Sequence, residues 1–196
     1  MDMTGLSGSI VAIVTPFKED RGVDFEALER LVDFHLANGT DGILVLGTTG
    51  ESGTMTDRED YEVATCVVDR VAGRIPVIGG SGSNSTDESL RKSLGLQKLG
   101  VDGLLIITPY YNKSNEEGIY HHLNSVLDAV NLPCVLYNIP GRTGCSISEK
   151  NLARLSRHPN AWGLKEASGN IAYAATAARY VSEDFHLFKT AEADAA

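Results

Sequence analysis

Short aliphatic and β-branched runs alternate along the chain with longer stretches whose apolar residues recur at helical spacing. The runs fall at residues 9–15, 42–46, 76–79, 103–108, 133–138, 161–167 and, most weakly, 186–190. The stretches between them predict helices near 24–38, 57–72, 86–100, 116–130, 148–157 and 171–182. Runs such as ILVL, LLII and CVLY are apolar nearly throughout instead of alternating in and out. That is the signature of parallel strands covered by helices. Strand starts are 33, 34, 27, 30, 28 and 25 residues apart, each the length of one βα unit. The helix ends carry their own signals. Asp24 is placed to cap a helix whose Phe25, Leu28, Leu31, Val32 and Leu36 form one apolar stripe before Gly39. Thr56 and Glu59 read as a capping box. Repeated βα units predict α/β architecture, either a doubly wound sheet or a (β/α)8 barrel. Six full units and a seventh strand are countable, which is short of eight. No linker or composition shift divides residues 1–196, so a single domain is expected.

Composition narrows the function. The chain has 196 residues, 42% of them hydrophobic and 22% charged, with a formal net charge of −9. That excess of acid argues against duplex nucleic acid and anionic membranes as partners, while leaving room for a local basic pocket that takes an anionic metabolite. Cys66, Cys134 and Cys145 form no CxxC pair and read as free thiols in a reducing compartment. The N-terminal apolar run lacks a basic flank and stops at Pro16, and no stretch of about 20 apolar residues follows, so a cytoplasmic protein is expected.

In both candidate architectures chemistry sits where strands end. Four strand ends stand out: GTTGES at 47–52, TPYYNK at 108–113, YNIPGRTG at 137–144 and GLKEASGN at 163–170. Lys165 lies inside an otherwise apolar strand. Desolvation lowers the pKa of such an amine and frees it to attack a carbonyl; the alternative is a rim lysine paired with Glu166 or another carboxylate. Gly47, Thr48 and Thr49 offer hydroxyls and backbone N–H groups suited to a carboxylate or phosphate, or form an ordinary βα turn. No GK[ST] follows them and no GxGxxG follows a strand, so neither a nucleotide nor a dinucleotide is expected. Tyr137 can shuttle protons at a strand end, and Arg142 can fork onto a carboxylate, although each also has a plain structural reading. Tyr110 and Tyr111 can pack an interface, line a site or cover the strand ends. The adjacent His121 and His122 point to different sides of one helix, and no metal site is expected.

Taken in order and at these spacings, the four segments make a sequence that resembles the dihydrodipicolinate synthase (4-hydroxy-tetrahydrodipicolinate synthase) family. That family belongs to the pyruvate-dependent class I aldolases, which also include N-acetylneuraminate lyase. The likeness runs from about Gly8 to about Leu187 and covers the N-terminal two-thirds of the family's length. It implies a (β/α)8 TIM barrel of the class I aldolase type, incomplete at the C-terminus, with the family's C-terminal helical region absent. It implies a lyase that joins pyruvate to L-aspartate 4-semialdehyde in lysine (diaminopimelate) biosynthesis, with no cofactor beyond the pyruvate imine on Lys165. Tyr137 resembles the family's proton donor and acceptor. Thr48 and Tyr111 resemble the rest of its relay, the tyrosine being lent across a dimer interface. Thr49 resembles the pyruvate carboxylate ligand, and Arg142 the residue that receives the aldehyde. Ser52, Asn84, Glu88 and Tyr110 match the lining of the family's lysine feedback site, whereas Gly53, Asp57 and Asp60 depart from it. A homo-oligomer, dimer or tetramer, is implied. Residues 189–192 depart from the family's Ser-Gly turn after the seventh strand. An inactive fragment acting through association with other chains, and another pyruvate-dependent aldolase, are the alternative readings.

Overall fold

A computed structural model describes Met3 and residues 6–189. The seven strands are β1 (Ile10–Ala12), β2 (Gly42–Val45), β3 (Val77–Gly80), β4 (Gly103–Ile107), β5 (Cys134–Asn138), β6 (Ala161–Glu166) and β7 (His186–Lys189). The helices are α1 (Phe25–Ala37), α2 (Asp57–Val71), α3 (Thr86–Leu99), α4 (Glu116–Ala129), α5 (Pro140–Thr143), α6 (Glu149–Leu155) and α7 (Ile171–Ala178). Every predicted strand and helix is present. Differences lie at the ends: β1 is three residues long where seven were predicted, and α7 stops at Ala178 where the pattern ran to 182. The segment at 190–192, where the departure from the family turn was noted, lies outside the described residues.

The chain forms two compact units. The first comprises residues up to Gly80 together with Gly95–Leu104. Its strands β1, β2 and β3 are parallel neighbours, with Ile10 opposite Gly42 and Ile43 opposite Val77. Ile43 and Val45 are fully buried, as burial of the strands between layers requires. Asp24 caps α1 by accepting from the Ala27 N–H, and Leu28 and Val32 of its stripe are fully buried. The Thr56–Glu59 capping box of α2 is fully formed. Its reciprocal bonds satisfy N–H groups that the first helical turn would leave open. Arg70 ties α2 to α1 through a 2.8 Å bond from Nε to Asp33.

The second unit comprises Ser81–Leu94 and the chain from Leu105 onward. Its strands β5, β6 and β7 are again parallel neighbours. The β5–β6 pairing slips by one residue near its start: Cys134 faces Ala161 and Val135 faces Gly163. That bulge sets the register of everything beyond it. α4, α6 and α7 are capped by Asn115, Ser148 and Asn170, each of which accepts a bond from a first-turn N–H. Burial pushes the Cys134 thiol up to about 12. Cys66, Cys134 and Cys145 are all free. Among the described residues no helix is long and apolar enough to cross a membrane.

Candidate active site

In the second unit the register beyond the bulge places Tyr137 opposite Lys165 and Asn138 opposite Glu166. Side chains alternate along a strand, so Tyr137 and Lys165 share one face and Asn138 and Glu166 share the other. The Lys165 Nζ lies 4.5 Å from the centroid of the Tyr137 ring. Tyr137 is 3% exposed and Lys165 is half-buried. The contact sets the lysine head group beside a phenol, an arrangement that can bring a proton donor and acceptor to carbonyl chemistry at the amine. The Glu166 carboxylate, one of the partners weighed for Lys165, is held by two neighbours. One oxygen accepts from the Asn138 side-chain amide at 2.7 Å and the other from the Ser168 N–H at 2.6 Å.

The Pro140 and Gly144 that flank Arg142 are each residues common in loops. Arg142 itself stands in the last turn of the one-turn helix α5. Pro140 at the helix start brings its φ preset, and Gly144 ends the turn with φ +72°. The Arg142 side chain is exposed. Tyr111 is 90% exposed and has φ +71°, in the left-handed region that a large side chain rarely adopts. Its ring therefore projects from its own chain. Tyr110 is held by its carbonyl, which accepts from the Asn84 amide at 3.2 Å, so two residues of the expected feedback lining meet. A third, Glu88, accepts from Ser83 Oγ at 2.8 Å.

In the first unit the residues after β2 form two consecutive 3₁₀ turns, Thr48–Gly50 and Ser52–Thr54. Leu46 at φ +60° and Glu51 at φ +56° bracket the first turn, both left-handed without being glycine. Conformations of this kind cost energy and cluster where a loop is held for function. The Thr48 and Thr49 side chains are exposed, while Gly47 and Gly50 are buried. The Thr15 hydroxyl secures the turn by donating to the Gly50 carbonyl at 2.7 Å. Ser52 donates to Asp60 at 3.3 Å.

The sequence pattern passed over Asn138 and the true setting of Glu166. Asn138 is fully buried and Glu166 is 6% exposed. The available signal was a polar residue directly after each candidate, in Tyr-Asn and in Lys-Glu, within otherwise apolar strands.

A sequence model of the dihydrodipicolinate synthetase family matches residues 5–196. A protein of Caldicellulosiruptor saccharolyticus named 4-hydroxy-tetrahydrodipicolinate synthase is 53% identical over 168 residues, covering 86% of this chain and 57% of its own length. A dihydrodipicolinate synthase of Bacillus anthracis superposes with a TM-score of 0.93 at 36% identity, over 98% of this chain and 68% of that one. The chloride-inhibited synthase of Acinetobacter baumannii, solved with pyruvate, superposes with a TM-score of 0.91 at 40% identity, over 94% of this chain and 63% of that one. The chain thus spans less than two thirds of the length of the curated relatives it matches. The fold class is α/β, that of the (β/α)8 barrel, with six βα units and a seventh strand. Strand order, the lysine and tyrosine strand ends, and similarity along nearly all of its length lead to one assignment: the chain belongs to the dihydrodipicolinate synthetase family.

Proposed function

We propose that this chain acts as a 4-hydroxy-tetrahydrodipicolinate synthase, a cytoplasmic, homo-oligomeric lyase of lysine biosynthesis that condenses pyruvate with L-aspartate 4-semialdehyde. The observation that carries the reading is the pairing of Lys165 with Tyr137 across β5 and β6, with the amine 4.5 Å from the ring. The name shared by the curated relatives supports it.

The chemistry follows from the residue types. The Lys165 amine adds to the keto carbon of pyruvate, and loss of water gives an imine. The imine acts as an electron sink, so the pyruvate methyl releases a proton and becomes an enamine carbon. That carbon bonds to the aldehyde carbon of the second substrate. The substrate's own amine then attacks the imine carbon, closing the ring and releasing Lys165. Tyr137, Thr48 and Tyr111 carry the protons. Thr49 and the N–H groups of the turn that starts at Gly47 hold the pyruvate carboxylate, and Arg142 receives the anionic aldehyde. No step needs a metal or an organic cofactor.

The test is to incubate the protein with pyruvate, reduce with cyanoborohydride and map the added mass by peptide mass spectrometry. The expected result is one adduct, on Lys165, which Lys165→Ala eliminates while circular dichroism stays unchanged. A folded wild-type protein that gives no adduct, or an adduct that survives in Lys165→Ala, would overturn the reading.

A further inference from the structure

Behind the lysine–tyrosine pair, on the opposite face of the same two strands, runs a chain of buried and part-buried hydrogen bonds that the proposed reaction does not use. The Asn138 amide donates to Glu166 Oε2 at 2.7 Å, and the Ser168 N–H donates to Glu166 Oε1 at 2.6 Å. The Asn138 side-chain oxygen accepts from the Ile147 N–H and from Ser146 Oγ, each at 3.0 Å. The Tyr173 hydroxyl then donates to the Ile147 carbonyl at 2.7 Å. Both segments leaving these strand ends are therefore fastened to one pair of side chains. One segment is 139–147, which carries Arg142; the other begins at Ser168.

Burying a carboxylate is costly, and an apolar pair of similar volume would fill the same space at less expense. What an apolar pair cannot supply is direction. Slipping a strand by one residue exchanges its two faces, and the bulge near Cys134 shows that this pairing already departs from the simple register. A directional bond between Asn138 and Glu166 is satisfied in one register alone, the register that places Lys165 beside Tyr137. We infer that Asn138 and Glu166 are positioning residues: their hydrogen bond locks the strand register that sets the lysine amine against the tyrosine, and it anchors the segment bearing the arginine. This inference rests on the imine reading above.

The donor–acceptor pattern supplies its own control. In Glu166→Gln an amide replaces one of the two acceptor oxygens, so one donor, from Asn138 or Ser168, loses its partner. In Asn138→Asp two carboxylates face each other. In the double variant Asn138→Asp/Glu166→Gln the pattern returns with its direction reversed. The oxygen of the introduced glutamine accepts from the Ser168 N–H, and its amide nitrogen donates to the introduced aspartate. The other oxygen of that aspartate accepts from Ile147 and Ser146. The number of carboxylates is also the same as in the wild type.

The experiment measures the rate of pyruvate-dependent adduct formation on Lys165 under cyanoborohydride, normalised to folded protein by circular dichroism, in the wild type, both single variants and the double variant. Loss of one such hydrogen bond predicts a fall of about tenfold or more in each single variant, with recovery to within about threefold of wild type in the double. Single variants that react at the wild-type rate once normalised for folding would overturn the positioning role and leave a merely structural one. A double variant as slow as the singles would overturn it as well, since charge position and not bond direction would then matter. A wild-type protein with no adduct would sink the imine reading itself, and this inference with it.

Discussion

At the scale of single residues, exposure separates the groups that hold the fold from those open to solvent. Arg142 is exposed on a one-turn helix, so its truncation removes charge without opening a cavity. Under the proposed condensation, Arg142→Ala is expected to raise KM for the aldehyde at least about tenfold while sparing the pyruvate adduct, as the loss of a forked carboxylate contact predicts. Steady-state kinetics with each substrate varied in turn would check it; equal loss for both would mean the arginine is structural. His122 is the opposite case. It is 3% exposed and its Nδ1 lies 2.9 Å from Thr86 Oγ1. Burial holds its imidazole below the ordinary histidine value. The unfolded chain takes up that proton near pH 6.5 and the folded chain only at lower pH, so stability falls as pH drops through that window. His122→Gln, which does not titrate, removes this contribution. Its thermal midpoint relative to wild type should therefore rise between about pH 7.5 and about pH 5.5; an unchanged difference would contradict the assignment. The strand positions of Lys165 and Tyr137 were legible in the sequence because each lies within an apolar run. The left-handed backbone of Leu46, Glu51 and Tyr111 was not, because nothing in those side chains announces positive φ.

At the scale of elements, the sequence was most readable where a signal is local. The Thr56–Glu59 box and the Asp24 cap each act over three residues, and both formed as read. The one-turn α5 escaped because Pro and Gly are individually loop formers; only their order, Pro first and Gly last, makes a short helix. The Asn138–Glu166 contact escaped because it depends on pairing across 28 residues and on a bulge that periodicity cannot register. Close approach of backbones is likewise invisible to periodicity. A Cβ at Gly80, the last residue of β3, would collide with the carbonyl oxygen of Leu46, the residue after β2, and come within 3.3 Å of the Gly47 N. Neither atom belongs to a flexible side chain. Gly80→Ala is therefore expected to cost about 1–3 kcal/mol, seen as a lower urea midpoint. A midpoint equal to wild type would mean that the two strand ends separate freely.

At the scale of the whole molecule, the two units alternate along the chain, since Ser81–Leu94 belongs to the second and Gly95–Leu104 to the first. Both α3 and β4 thus contribute residues to each unit, although the hydrophobic pattern reads each as a single uninterrupted element. Repeated βα spacing made the fold class legible, but it carried no trace of this partition, which depends on contacts between residues far apart in sequence. The aromatic residues give the partition a practical consequence. The chain's single tryptophan, Trp162, lies in β6, with the rings of His186 and Phe188 of β7 at 4.6 and 5.2 Å. Indole fluorescence therefore reports on one unit alone, and on the strand that bears Lys165, whereas far-ultraviolet dichroism averages over helices in both. Denaturation curves from the two signals would coincide if the chain melts as one cooperative body and separate if each unit melts on its own, so the protein carries an intrinsic optical probe of how its halves come apart.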